Sequence, residues 1–218
     1  MSLLRFFHTP WHEVPTVWID TETTGVRPGV DRAVQVGLAR FEGGKCVGSG
    51  VQLVNPGIPI PPEATAIHGI TDERVAAMPT IEHLFREARA LALLDGAQPA
   101  AYNAPFDRHF VPPFGDDWTW QWLDALSLVR VVDRFVRGNG RHRLEAAAER
   151  HGVALPRAHN AEADAVAAGM LFYKLAPTVF AEMPLGELLR EQTIQEAQER
   201  YRFHNWLSQQ PPRDGSTS

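Results

Sequence analysis

The chain has 218 residues, with 21 Lys and Arg against 26 Asp and Glu for a formal net charge of −5. A hydrophobic content of 44% with 22% charged residues excludes wholesale disorder, and the length suits one well-buried domain with a short appendage. The acidic balance excludes a protein that coats nucleic acid by bulk positive charge, and the single cysteine, Cys46, excludes an internal disulfide or a multi-cysteine zinc site.

Residues 1–15 read as an N-terminal arm. Arg5 and His8 interrupt its apolar character and no small-residue cleavage site follows, so it does not read as a signal peptide. With no apolar run near the ~18 residues that span a bilayer, the expectation is a soluble cytoplasmic protein with no membrane partner. Val17–Asp20 reads as a short buried strand. Ala33–Phe41 and Lys45–Val54 read as longer strands joined by a Glu42-Gly43-Gly44 hairpin turn. Four prolines between Asn55 and Pro62 predict an irregular loop, because proline denies the backbone its ladder donors. A helix is predicted from Thr80 as N-cap, with Ile81, Leu84, Phe85, Ala88 and Leu91 at helical spacing, and Ala100–Tyr102 reads as another strand. Leu128, Val131, Val132 and Phe135 form one helical stripe; Leu144, Ala147, Ala148 and His151 form a second, ended by Gly152. A third helix is predicted over Asn160–Leu175. Strands followed by alternating strand and helix make 16–176 one mixed α/β domain. After a break between Pro177 and Pro184, Leu185–Ser208 reads as a further helix, so that 177–208 forms a helical extension, and 209–218 has the composition of a disordered tail.

Several carboxylates do not belong in a core. Asp20 and Glu22, two apart at the end of a buried strand and next to Gly25, project to the same face. Such neighbours repel and are costly to desolvate, so they either hold a hard divalent cation or stand in a solvated turn. Asp164 is in register with Ala167, Ala168, Leu171 and Leu175, which places it at the head of an inward stripe. It is either neutralised by its helix dipole or holding a cation. Asp107 lies between Phe106 and Phe110 just after a strand, at the sheet's edge or as a first-turn helix carboxylate. His159 is five residues before Asp164, which in one regular helix would put them about 140° apart. It must therefore lie on the preceding loop, as a general base or a solvated histidine. Asp124 reads as the cap of the following helix.

In order along the chain, Asp20-Thr-Glu-Thr-Thr-Gly25, Ile67-His-Gly-Ile-Thr71, Asn103-Ala-Pro-Phe-Asp107, Asp124-Ala-Leu-Ser-Leu-Val-Arg130 and His159-Asn-Ala-Glu-Ala-Asp164 together resemble the DnaQ-like 3′–5′ exonucleases of the DEDDh group. The wording is most similar to that of proofreading epsilon subunits of bacterial replicative polymerases. The resemblance implies an RNase H-like α/β fold, a mixed central sheet flanked by helices, with the C-terminal helices as an extension. It implies that Asp20, Glu22, Asp107 and Asp164 organise two Mg²⁺ or Mn²⁺ ions, Asp107 through water. It further implies that His159 deprotonates the attacking water and that nucleoside 5′-monophosphates leave the 3′ end of single-stranded DNA. Thr23 and His68 are then expected to grip the terminal nucleotide. Phe106 is expected beside it, contributing packing. An exoribonuclease or oligoribonuclease of the same fold stays open, as does a non-catalytic polymerase-associated subunit.

Three weaker signals remain. Arg130, Arg134 and Arg137 recur at helical spacing away from the apolar stripe and lead through Gly138-Asn-Gly140 to Arg141 and Arg143. They form a phosphate-binding track or a solvated face. Trp118, Trp120 and Trp122 alternate as on one strand face, either stacking bases or packing against the C-terminal helix. Residues 185–208 are expected to dock a polymerase subunit, to self-associate, or to pack on the chain's own core.

Overall fold

Five strands share one sheet in the order β3-β2-β1-β4-β5. The computed structural model describes residues 6–88, 93–112, 121–156 and 160–208. The strands are β1 (Thr16–Thr23), β2 (Ala33–Glu42), β3 (Lys45–Leu53), β4 (Gln98–Ala101) and β5 (Leu123–Asp124). β1, β2 and β3 pair antiparallel, whereas β4 and β5 continue parallel to β1. The helices are α1 (Pro62–His68), α2 (Asp72–Val75), α3 (Ile81–Ala88), α4 (Ala104–Asp107), α5 (Ala125–Val132), α6 (Leu144–Arg150), α7 (Ala161–Leu175), α8 (Pro177–Phe180) and α9 (Leu185–Ser208). This is the mixed sheet flanked by helices expected of an RNase H-like fold.

Both central strands are buried on both faces, and the period of two decides what each face meets. Val17 and Ile19 of β1 join Val36, Leu38, Phe85, Leu94 and Phe110 on one side. Trp18 joins Ala39, Phe41, Leu171 and Phe172 on the other, beneath α7 and α5. The β2–β3 turn is closed by Gly43 and Gly44 at φ 55° and 76°, the doubly left-handed turn that suits the twist of a hairpin. Gly152, at φ 62°, ends α6 as anticipated.

The helix α7 lies unusually close to the sheet. A Cβ added to Gly37 on β2 would overlap the backbone of Ala161 and Glu162, and one added to Gly169 would overlap the rings of Phe41 and Trp18. The predicted stripe of Asp164, Ala167, Ala168, Leu171 and Leu175 is buried throughout.

Three expectations change. The helix α5 ends at Val132, with Asp133 as its C-cap, so Phe135 leaves the apolar stripe and is 78% exposed. Arg134 and Arg137 therefore lie beyond the helix, and the helical spacing that grouped them with Arg130 does not hold. The helix α1 starts on the last proline of the predicted loop, because proline at the first helical position loses only a hydrogen bond that an N-terminus lacks anyway. A short helix, α8, occupies the break expected after Pro177 for the same reason.

The N-terminal segment clasps the junction of α8 and α9. Trp11 Nε1 donates to the carbonyl of Ala181 at 2.8 Å, while Leu185 N and Gly186 N donate to Thr9 and Phe7 carbonyls. Along α9, which packs on α5 and β5, Leu185, Leu188 and Leu189 join the core on the α7 side of the sheet, and Gln192 is buried as well. Gln192 pairs with the edge strand: its Nε2 donates to the Trp122 carbonyl at 2.9 Å and its Oε1 accepts from Asp124 N at 2.9 Å. Of the alternatives for 185–208, packing on the chain's own core thus accounts for the first half of the helix. Trp122 is buried, but its ring belongs to the opposite face with Phe110 and Val111 rather than to the C-terminal helix. Trp118, Trp120, Leu91 and the expected disordered tail lie outside the described residues. No helix among the described residues is long and apolar enough to cross a membrane.

Gly37→Ala is expected to destabilise the protein by about 1–3 kcal/mol, the usual cost of forcing a packed backbone apart. Gly50→Ala on β3, where an added Cβ meets nothing within 4 Å, is expected to be neutral or stabilising by up to about 1 kcal/mol. Urea unfolding of both variants checks the difference.

Candidate active site

The pairing of β1 with β4 stops at Trp18↔Ala100, so Asp20 to Thr23 run on past their neighbour toward the carboxyl ends of the parallel strands, where open α/β sheets place their ligands. Asp20 and Glu22 leave β1 on the face of Trp18, the face covered by α7. Asp20 sits opposite Gly37 in the β1–β2 register, and Gly37 is where α7 touches the sheet. The helix N-terminus is fixed there by three side chains. Asn160 Oδ1 accepts from Ala163 N at 3.2 Å, Gln35 Oε1 accepts from Ala161 N at 3.2 Å, and Ser49 Oγ donates to Glu162 at 2.7 Å. Asp164, one turn in and 8% exposed, is thereby held over β1. Asp20, Glu22 and Asp164 each bring a carboxylate oxygen within 4.8 Å of the others.

Asp107 approaches from the other side, on the short helix α4 after β4. It is 4% exposed and lies outside that three-residue set. Both the backbone N and the Oγ1 of Thr21 donate to its Oδ1, at 3.0 and 2.8 Å. Burial pushes the Asp107 carboxyl up to about 7, with the Thr21 bonds pulling against it. Asp20 is raised well above the ordinary carboxylate range, first by burial and then by the charges of Asp107, Asp164, Glu22 and Glu145. Such convergence disfavours the ionised state unless a cation enters. Hard carboxylate oxygens within reach of one another suit Mg²⁺ or Mn²⁺, so these residues fit a divalent ion.

The acids open into a cleft of about 710 Å³. Its wall carries Ile67, Tyr102 and Phe106 on one part and Arg130, Arg141, Arg143 and Glu145 on another. Arg130 therefore reaches the site, whereas Arg134 and Arg137 do not line it. Arg134 lies over the Phe135 ring, and Arg137 donates to the carbonyl of Arg134. The basic rim is instead completed by Arg141 and Arg143, after a turn in which Gly138 and Gly140 take φ 114° and 73°. That turn is tied down by Arg150, which bonds both the Asp133 carboxylate and the Arg141 carbonyl. Phe106 lines the cleft and packs on Phe110 at 4.8 Å between ring centres. Thr23 and His68 do not line it. Thr23 Oγ1 donates to the Gly25 carbonyl at 2.6 Å, closing the turn, and His68 Nδ1 accepts from Ile70 N at 3.0 Å, leaving its neighbour Ile67 in the wall. Asp124 caps α5, accepting from Leu126 N and Ser127 Oγ. His159 lies outside the described residues. Glu145, Thr21 and Gln35 were not singled out from the sequence; the period of two pointed Thr21 away from Asp20, and nothing in the chain signals its bond to a residue 86 positions on.

The family profile RNase_T, described as Exonuclease, matches residues 17–172. A DNA polymerase III subunit epsilon-like protein of Rhodobacter capsulatus is 38% identical over 182 residues, covering 79% of this chain and 25% of that protein. A DNA polymerase III PolC-type protein of Thermotoga maritima is 29% identical, over 72% of this chain and 12% of its own length. The chain thus spans about a quarter or less of these relatives. Among solved structures, Exonuclease X in complex with 5′-overhanging duplex DNA superposes with a TM-score of 0.65 at 24% identity, over 80% of this chain and 99% of that one. Escherichia coli Exonuclease I with a dT13 oligonucleotide superposes with a TM-score of 0.61 at 24% identity, over 77% and 42%. The fold is that of these exonucleases, and with its family match running from β1 into α7 the chain belongs to the exonuclease family.

Proposed function

We propose that the protein is a metal-dependent 3′–5′ exonuclease that removes nucleoside 5′-monophosphates from the 3′ end of single-stranded DNA, in proofreading or repair. The observation that carries this reading is the meeting of Asp20, Glu22 and Asp164 within 4.8 Å at the floor of an arginine-rimmed cleft. The relatives named for DNA polymerase III and the neighbours bound to DNA support DNA over RNA.

Asp20, Glu22 and Asp164 would hold two Mg²⁺ or Mn²⁺ ions, with Asp107 completing the set from the Thr21 side. When bound, the ions supply positive charge to the attacked phosphodiester and lower the pKa of the attacking water. The chain's own residues do the rest. Arg130, Arg141 and Arg143 receive phosphate oxygens as planar forks. Ile67, Tyr102 and Phe106 form an apolar wall for the terminal sugar and base. His159, which directly precedes the Asn160 cap in the sequence, would take the proton from the attacking water, the work of a histidine general base.

Assays on matched DNA and RNA strands with Mg²⁺, Mn²⁺ or EDTA test the reading: DNA is expected to shorten from its 3′ end with either metal and to survive in EDTA. Survival of both strands with metal present overturns it. Asp20→Asn is expected to cut the rate about a thousandfold, the loss of several kcal/mol of transition-state stabilisation. The same variant should raise the melting temperature in EDTA at pH 8, because it removes one buried charge from the cluster. A fall in both would mark a folding defect instead.

The raised carboxyls set a pH dependence. Asp107 binds its proton more tightly folded, with its value moved from 3.8 to about 7, and Asp20 shifts in the same direction. The folded state therefore holds more protons than the unfolded one across that window, and the metal-free protein loses stability as pH rises from about 4 to about 7. Mg²⁺ or Mn²⁺ should raise the melting temperature by about 5–10 °C at a hundredfold excess over Kd at pH 8, and by much less at pH 5. Calorimetry at the two pH values checks this.

A further inference from the structure

Beside the cleft lies a second cavity of about 370 Å³, at the lower end of the sizes that hold small ligands. Asn103 and Arg130 line both, so the two are neighbours that meet at these side chains. Beyond them the second cavity is walled by Arg108, from the end of α4, and by Glu196 and Arg200, from α9. The placement of Arg200 is fixed by its helix face. Gln192, Glu196 and Arg200 recur every four residues and so share one side of α9. Gln192 is bonded to β5 at both ends of its amide, and it donates to Glu196 at 3.2 Å. Two turns beyond that anchor, Arg200 faces the cavity. The cavity's acids are already engaged: Asp124 accepts from Leu126 N and Ser127 Oγ, and Glu196 from Gln192. Three guanidinium groups, from the end of α4, from α5 and from α9, thus line a space that adjoins the cleft at Arg130.

We propose that this cavity is a second phosphate-binding subsite, taking the backbone of the substrate strand upstream of the nucleotide being removed, and that α9 is thereby part of the nucleic-acid surface. The proposal rests on the functional reading above, in which a strand end occupies the cleft. A strand whose 3′ end lies against Asp20 and Asp164 leaves the cleft over Arg130, the residue the two spaces share. Arg108 and Arg200 are the next cations it meets. Guanidinium forks match phosphate oxygens at any base sequence, as a processive grip on a single strand requires.

The test measures binding on the full chain with Mg²⁺ present, carrying Asp20→Asn so that the strand is not consumed. Fluorescence anisotropy is read for a labelled single strand of about twelve nucleotides, within the usual site size of single-strand binders, and for a labelled dinucleotide that fills the cleft alone. Arg108→Ala and Arg200→Ala, both at exposed positions, are expected to weaken binding of the long strand. Each should reduce the slope of log K against log salt by about 0.7. Dinucleotide affinity should not change. Equal weakening of both lengths, or no change in either, overturns the subsite while leaving the functional reading standing. A parent protein that binds neither length overturns both.

Discussion

The structure depends on how closely α7 can approach β2. Two glycines, Gly37 on β2 beneath the helix N-terminus and Gly169 within α7 where it meets Phe41 and Trp18, remove the side chains that would hold helix and sheet apart. The alanines Ala161, Ala165, Ala167 and Ala168, all buried, do the same from the helix side. Closeness at the first turn has an electrostatic consequence, because Asp164 is carried onto Asp20 and Glu22. The contact that tightens the core is therefore the one that concentrates negative charge. Packing supplies the favourable energy: each large apolar side chain such as Trp18 beneath α7 or Phe172 on it, fully buried, contributes roughly 1.5–3 kcal/mol, and opposes the burial and repulsion that lift the Asp20 carboxyl.

The hydrogen bonds around this contact explain why the acids stay in place. Gln35, Asn160 and Ser49 act on the first turn of α7, and Thr21 acts on Asp107. Thr21 can do so because its strand has run past the end of β4, so that its amide hydrogen bonds to a carboxylate in place of a ladder partner. Strand length sets the geometry of the site here: a longer β4 would pair that amide and leave Asp107 without its anchor. The same logic operates at the other edge, where the two-residue β5 exposes backbone groups that the Gln192 amide completes. An unpaired edge strand is a liability, and α9 covers this one with a side chain as well as with its bulk.

What was legible in the chain follows from the range of each interaction. The paired direction of Asp20 and Glu22, the inward stripe headed by Asp164 and the Gly43–Gly44 turn are local, fixed by a period of two, a period of 3.6 or the sign of φ. Arg134 and Arg137 were misplaced because a pattern of 3.6 was carried past the point where α5 stops, and Asp133 gives no strong stop signal when read alone. Its role as a buried acceptor for Arg150 and His151 depends on residues 17 and 18 positions away. Arg141 and Arg143 reach the cleft only because that long-range bond pins their turn. Thr21, Gln35 and Gln192 are polar residues in apolar surroundings whose partners are brought by tertiary structure, and no spacing announces them.

The net charge of −5 takes its meaning from this arrangement. Asp20, Glu22, Asp107, Asp164 and Glu145 all act within one site, while the arginines on its rim come from α5 and from the turn before α6, which the fold brings together. An acidic floor under a basic rim repels a polyanion at the centre and attracts it at the edges, so the balance turns on whether cations occupy the floor. With two divalent ions the chain's charge would rise from −5 to about −1, and the added charge would fall beside Asp20, Glu22 and Asp164. The floor then attracts the phosphate that it repels when empty. On the proposed reading, affinity for nucleic acid would then rise with metal occupancy and fall without it, independently of the bulk charge.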